Sequence, residues 1–259
     1  MLSLALFCAL LYLAAGLGVN IGYHRGLSHR SFRLPAWLER PIVLLALPAG
    51  TPIQWAGNHR AHHRWADTDR DPHSPILDGF WWAHAGWYLG SRRRLLAALY
   101  AAGGPLRTLF DSWHRPRSNH QYDHFAEDVA ADRFYRWISR PWPYFLASML
   151  HVCVPLAIAS LVWHTAGFVA VWLTYILMYN VGDAIDSVAH QAPAHGAVNH
   201  ALLGWLALGE GWHANHHRHP WSARHGFGRG QFDWTWQIVR LLRALGLAKG
   251  VRVAPEVES

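Results

Sequence analysis

Three short histidine clusters each follow an apolar stretch, and any fold must bring them together at the edge of whatever covers those stretches. They read His24-Arg-Gly-Leu-Ser-His29, His59-Arg-Ala-His62-His63 and His213-Ala-Asn-His216-His217. In a helix, residues i, i+3 and i+4 share a face. His59, His62 and His63 are therefore expected to converge on one point, as are His213, His216 and His217. The i, i+5 pair differs: on an ideal helix His24 and His29 diverge by about 140°. Either they approach different metals or the helix loosens near Gly26. Neutral imidazole suits iron, copper, nickel and zinc, and eight imidazoles exceed the needs of one ion, so two metals are expected. One HxxHH alone reads as a solvated polar patch, but three such clusters beside apolar segments read as a site. His114, His120, His124, His151, His164, His195, His200, His219 and His225 lack such spacing and are expected at the surface or in structural roles.

The apolar runs point to an all-α membrane protein forming a single domain over 1–259. The run from Met1 to about Gly22 has no charged residue ahead of it, unlike a signal peptide. It is long enough for a span of about 20 residues, and a removable leader would not end in a ligand. Pro41–Trp55 is short and holds Pro48, Gly50 and Pro52, which break helix hydrogen bonding. A re-entrant or interfacial segment is expected over about 41–56. Two further runs, separated by His164-Thr165, read as a helical hairpin. The expected spans are thus 2–22, 143–163 and 166–182, with a polar helical cap over 57–141 and 183–250. The cap carries Phe80-Trp81-Trp82 and Trp87-Tyr88, aromatic residues that favour a membrane interface.

For the clusters to meet, all must lie on one face, which makes three full crossings. Arg25, Arg30, Arg33, Arg40, Arg60, Arg64 and Arg92–Arg94 fall on that side, and the short hairpin loop holds no Lys or Arg. The histidine side is therefore expected to be cytoplasmic, in a bacterial inner membrane. The net charge of +7 comes almost wholly from arginine, with Lys249 the lone lysine. No nucleic-acid motif accompanies it, so membrane lipid and not nucleic acid is the expected partner. Cys8 and Cys153 lie in apolar runs and support neither a disulfide framework nor a cysteine zinc site.

Beyond the clusters, the chain carries Thr68-Asp69-Arg70-Asp71-Pro72-His73, Gly79-Phe80, His84-Ala-Gly86-Trp87, Gly209-Glu210-Gly211-Trp212-His213, Phe232-Asp233-Trp234-Thr235 and Leu245-Gly-Leu-Ala248. In this ordered set it resembles the membrane fatty-acid desaturases, specifically the acyl-CoA (stearoyl-type, Δ9) branch. The resemblance implies two iron ions held mainly by histidines. It also implies O2 and two electrons from a separate ferredoxin- or cytochrome b5-type partner, and a cis double bond placed in a saturated acyl chain carried as acyl-CoA or acyl-lipid. It supplies a ninth histidine from an Asn-x-x-x-His motif, matched here by Asp186-Ser-Val-Ala-His190. Asp186 stands where the family has an asparagine that contacts a metal through water. It either ligates directly or holds such a water, and the second is the expectation. The family also has a pair of spans before the first cluster, where only one fits here. Either that first helix is absent or the true start lies upstream of Met1.

Methylene C–H bonds are unactivated, and ordinary acid–base side chains cannot break them. Iron with open positions can activate O2, while the protein holds the irons, excludes water and orients the chain. Asp69 and Asp71 are expected to brace ligand histidines. Glu210 either does the same or caps a helix. Arg92, Arg93 and Arg94 lie near where the family binds its anionic acyl carrier; contact with phospholipid phosphates is the equal alternative. Zinc binds imidazole more tightly than ferrous iron, so it is expected to substitute in recombinant protein. Two other functions remain open. One is a related hydroxylase or ketolase acting on alkyl or carotenoid chains. The other is a metal-binding transporter, which would place its ligands at the membrane midplane.

Overall fold

The computed structural model describes residues 1–191 and 196–255; His195 lies outside them. Among the described residues the fold is all-helical, with two isolated β-bridges, Arg33 to Lys249 and Asn199 to Trp212, and no strand. Two helical stretches, Leu2–Ser28 and Pro141–Ser187, are long and apolar enough to cross a membrane. Only 11% and 17% of their most apolar windows are buried inside the protein. A core helix of a soluble protein would be mostly covered, so these stretches present apolar surface outward.

The N-terminal helix runs as α-helix over Leu2–Leu17 and continues as π-helix over Gly18–Ser28. Helix Ala36–Leu45 packs back against it, with Val43 and Leu47 fully buried and the Tyr23 hydroxyl donating to Gly50 O at 2.8 Å. The stretch 41–56, expected as a re-entrant or interfacial segment, is broken in the middle. It is the end of one helix, a 3-10 turn over Leu47–Ala49 and the start of helix Pro52–Trp65. The break falls at Pro48, Gly50 and Pro52, where backbone donors are missing or φ is positive (+128° at Gly50). Thr51 restarts the helix, its Oγ1 accepting from Gln54 N at 3.3 Å with Pro52 in the first turn.

The second apolar stretch is a hairpin. His164 (φ +53°, ψ −139°) interrupts helix Pro141–Ser187. The contact pairs Ala159 with Gly167, and His151 with Tyr175, are each equidistant from residue 163. This is the register of two antiparallel arms. Each arm is about 35 Å long at 1.5 Å per residue, enough for a hydrocarbon core of about 30 Å. Trp163 Nε1 donates to Ser3 Oγ at 3.2 Å, and the rings of Phe7 and Trp163 lie 5.4 Å apart. The chain start and the hairpin turn thus share one end of the molecule, while His24 and His190 lie at the other.

The C-terminal part closes over the histidine end. It contains short helices Ala201–Leu206 and His213–Arg218, then Trp234–Ala244, capped by Asp233 through Trp236 N at 2.9 Å. Its last segment runs beside 31–33, with Lys249 N donating to Arg33 O and Arg252 N to Ser31 O, each at 2.9 Å.

A Cβ at Gly167 would collide with the backbone carbonyl of Ala159 on the facing arm. Gly167→Val is expected to destabilise the protein by about 1–3 kcal/mol through overpacking, measured by denaturation in detergent micelles.

Candidate metal centre

Nine histidines converge in two sets. His24, His29, His59, His63 and His216 form one; His62, His190, His213 and His217 form the other, with ligand atoms within 4.8 Å of one another in each. Each HxxHH cluster divides between the sets. The i and i+4 members (His59 and His63; His213 and His217) go to one, and the i+3 member (His62; His216) to the other. The expectation that each cluster converges on one point is therefore corrected. Successive residues on a helix are 100° apart, so adjacent histidines diverge and one cluster serves two centres.

The i, i+5 pair is resolved by the π-helix. Its hydrogen bonds run i to i+5, and His29 N donates to His24 O at 3.1 Å. The helix has loosened, as one of the two expectations held. The His24 and His29 rings lie 5.0 Å apart in the same set. Gly26 permits this: a Cβ there would sit 2.6 Å from Ile21 O, five residues back.

The imidazoles face one another through Nε2. His24 and His216 are 3.0 Å apart at these atoms, His29 and His59 2.8 Å, and His63 and His216 2.8 Å. In the second set, His62 lies 3.1 Å from His190, and His213 lies 2.9 Å from His190 and 3.1 Å from His217. Carboxylates fix the tautomer of two of these rings, His62 and His190, while Glu210 lies beside a third without a hydrogen bond. His62 Nδ1 donates to Asp71 Oδ1 at 2.9 Å and His190 Nδ1 to Asp67 Oδ2 at 3.3 Å, while His24 Nδ1 lies 2.7 Å from Glu210 Oε2. An ionised carboxylate only accepts, so in His62 and His190 Nδ1 carries the proton and Nε2 is left with a lone pair. Burial, then neighbouring imidazoles, pushes His29, His59, His62, His63, His213, His216 and His217 well below the usual histidine range. Neutral rings aiming lone pairs at two shared points fit two metal cations.

A buried ionic cluster holds this arrangement. Arg25 is completely buried; it donates to Glu210 Oε1 (2.9 Å) and to both oxygens of Asp233 (3.0 and 3.1 Å). Burial alone would raise the Glu210 carboxyl, but Arg25 and the adjacent histidines hold it well below its usual range. Arg60 ties the second cluster to the first, donating to Leu27 O at 2.7 Å and Ser28 O at 2.9 Å.

The expected residues fall in different places. Asp71 and Glu210 contact ligand histidines, whereas Asp69 is exposed and touches none. Asp67 takes that position instead, from a turn where its φ is +57°. Asp186 lies outside both nitrogen sets and accepts from the Tyr88 hydroxyl at 3.3 Å. Arg92, Arg93 and Arg94 are exposed, and Arg92 donates to Asp78 at 2.7 Å. His225 carried no spacing signal, and His73 stood only within the Thr68–His73 motif, with no role assigned. His225 is fully buried with Nδ1 3.1 Å from Glu210, and His73 stacks on His62 at 4.4 Å.

A cavity of about 180 Å³ runs beside the centre. His24, His59, His62 and His213 line it together with apolar Val19, Trp55, Met178 and Leu208.

Fold and site together define a helical protein with outward apolar helices and two histidine sets that could hold metal beside a largely apolar cavity. The family model "Fatty acid desaturase" matches residues 2–240. The sn-1 stearoyl-lipid 9-desaturase of Anabaena variabilis is 34% identical over 257 residues, covering 95% of this chain and 82% of the relative. The acyl-CoA 5-desaturase AL21 of Anemone leveillei is 36% identical over 258 residues, covering 95% of this chain and 71% of the relative. The chloroplastic palmitoyl-monogalactosyldiacylglycerol delta-7 desaturase of Arabidopsis thaliana is 34% identical over 261 residues; 96% of this chain spans 62% of that relative's length. The chain belongs to the fatty acid desaturase family, a family of enzymes that desaturate acyl chains.

Glu210→Gln is expected to weaken metal retention about 10–100-fold, measured as metal kept against a chelator series. The pH response of the metal-free protein follows from the lowered histidines. The unfolded chain takes up protons near pH 6.5 while the folded site does not. Folding stability should therefore be flat above about pH 7 and fall as the pH drops below 6.5, read as the melting temperature across a pH series.

Proposed function

We propose that the protein is an O2-dependent di-iron desaturase that introduces a cis double bond into a saturated fatty acyl chain. Its centre is held by His24, His29, His59, His63 and His216 on one side and His62, His190, His213 and His217 on the other. The observation that carries this reading is the pair of convergent imidazole sets on the wall of a largely apolar cavity. Two irons bound there would supply the oxidation that takes two hydrogens from adjacent methylenes, with O2 and two electrons from an external ferredoxin- or cytochrome b5-type donor.

The chain's own residues do the rest. Val19, Trp55, Met178 and Leu208 line the path of the hydrocarbon and keep water from it. Asp71 and Asp67 keep protons on Nδ1 of His62 and His190, so that those Nε2 lone pairs stay free for metal. Asp186 holds a water toward the second set, the role of the family's asparagine. Arg92, Arg93 and Arg94 offer exposed positive charge to an anionic acyl carrier or to phospholipid phosphates. The relative covered over 82% of its length is named a stearoyl-lipid 9-desaturase. This supports the ninth position and an acyl-lipid substrate, while the Anemone relative's name supports acyl-CoA.

In the membrane, the N-terminal helix and the two hairpin arms make three crossings. The histidine end faces the cytoplasm, the side the arginines favour. Ligands at the helix ends, away from the midplane, separate this arrangement from a transporter.

Expression in a host lacking unsaturated-fatty-acid synthesis tests the proposal. The wild-type protein should yield a lipid lighter by two hydrogens. His62→Ala should yield none while still fractionating with the membrane. A product heavier by one oxygen would establish hydroxylation instead.

A further inference from the structure

The cavity has a second, polar stretch of wall, formed by Tyr88, Arg107, Arg115, Asp183 and Asp186. Its hydrogen bonding is uneven. Arg107 is matched to Asp183, Nη1 and Nη2 donating to the two carboxylate oxygens at 2.5 and 2.9 Å. The Tyr88 hydroxyl donates to Asp186 and the Tyr100 hydroxyl to Asp111 at 2.6 Å. Arg107 Nε has no hydrogen-bond partner, and Arg115 is the least matched of all. It is only 2% exposed, and its guanidinium lies 4.0 Å over the Tyr88 ring. Its Nε is 3.5 Å from Asp111 Oδ1 but makes no hydrogen bond. Its Nη atoms donate to no described residue. Trp87 lines the same cavity, and its buried indole N–H also lacks a partner.

Buried donors are seldom left unsatisfied, because each costs its desolvation without a compensating bond. A ligand that fills the cavity is therefore asked for an acceptor oxygen at this wall. Charge decides which kind. Arg107 and Arg115 are offset by Asp183 and Asp111, with Asp186 beside them. A further full negative charge would be unbalanced, whereas a neutral carbonyl would not.

We propose that the Nη atoms of Arg115, with the Trp87 indole N–H, bind the carbonyl oxygen of the substrate's acyl ester or thioester, so that Arg115 anchors one end of the chain inside the cavity. This rests on the reading of the cavity as the acyl seat. The anchor makes Arg115 a specificity-determining residue: it fixes how far along the chain the methylenes beside the histidines lie.

The test measures binding of methyl stearate, stearate and octadecane to the metal-loaded, detergent-solubilised full chain without reductant, by retention of tritiated ligand. The readout is the affinity ratio of ester to hydrocarbon, which a general loss of fold would leave unmoved. Arg115→Met should lower that ratio about tenfold, and Arg115→Lys should retain part of it. An unchanged ratio in Arg115→Met overturns the proposal. So does a ratio that falls for stearate alone, which would make the wall an anion site. Wild-type protein that binds none of the three overturns the acyl reading of the cavity and this proposal with it. Ligand binding as described without double-bond formation under reducing conditions overturns the desaturase reading alone.

Discussion

Everything at the histidine end depends on keeping nine buried and half-buried imidazoles aimed at one another. Their Nε2 atoms face one another at about the distance of a hydrogen bond, yet in a ring whose Nδ1 proton is held by a carboxylate, Nε2 has only a lone pair to offer. Without cations such lone pairs oppose each other, and the enclosing fold supplies the energy that keeps them together. The acids that orient the rings bring their own problem, since a buried carboxylate needs a partner. Arg25 answers it by bridging Glu210 and Asp233. One guanidinium, in the π-helix that presents His24 and His29, thus couples the first cluster to the loop before the third and to the cap of the last helix.

The two apolar stretches explain why the centre forms where it does. The helix start and the hairpin turn meet at one end through Ser3, Phe7 and Trp163. The far ends of the helix and of the second hairpin arm then emerge together, delivering His24, His29 and His190. The helix of the second cluster starts after the break at Pro48 to Pro52 and is tied to the first by Arg60. The cavity is the space left between these elements. One stretch of its wall is hydrocarbon and another carries guanidinium and carboxylate, so its two parts suit groups of different polarity.

Much of this was legible in the residues. Periodicity and apolar length placed the N-terminal helix and the hairpin, including its turn at His164-Thr165. The three clusters named eight of the nine histidines that converge, and the resemblance added His190. Asp71 and Glu210 were recognisable as braces by their nearness to ligands in the chain. Asp67 was not, because nothing in the spacing distinguishes it from Asp69; only the turn decides which carboxylate points inward. His225 and Arg115 were equally hidden, one lacking any cluster and the other lying in a polar stretch that reads as surface.

The sequence by itself determined which side chains can hold metal and which segments seek an apolar environment, since both properties belong to the residue types and their local order. The tertiary structure alone decided how the ligands divide. Adjacent histidines on one helix point about 100° apart, so each HxxHH cluster has to serve two centres, and an i, i+5 pair can serve one only when the helix widens to π. It also decided which acids meet which rings and which arginine is left with free donors. Those outcomes depend on contacts between residues far apart in the chain, such as Arg25 with Asp233 at a separation of 208, and no local pattern encodes them.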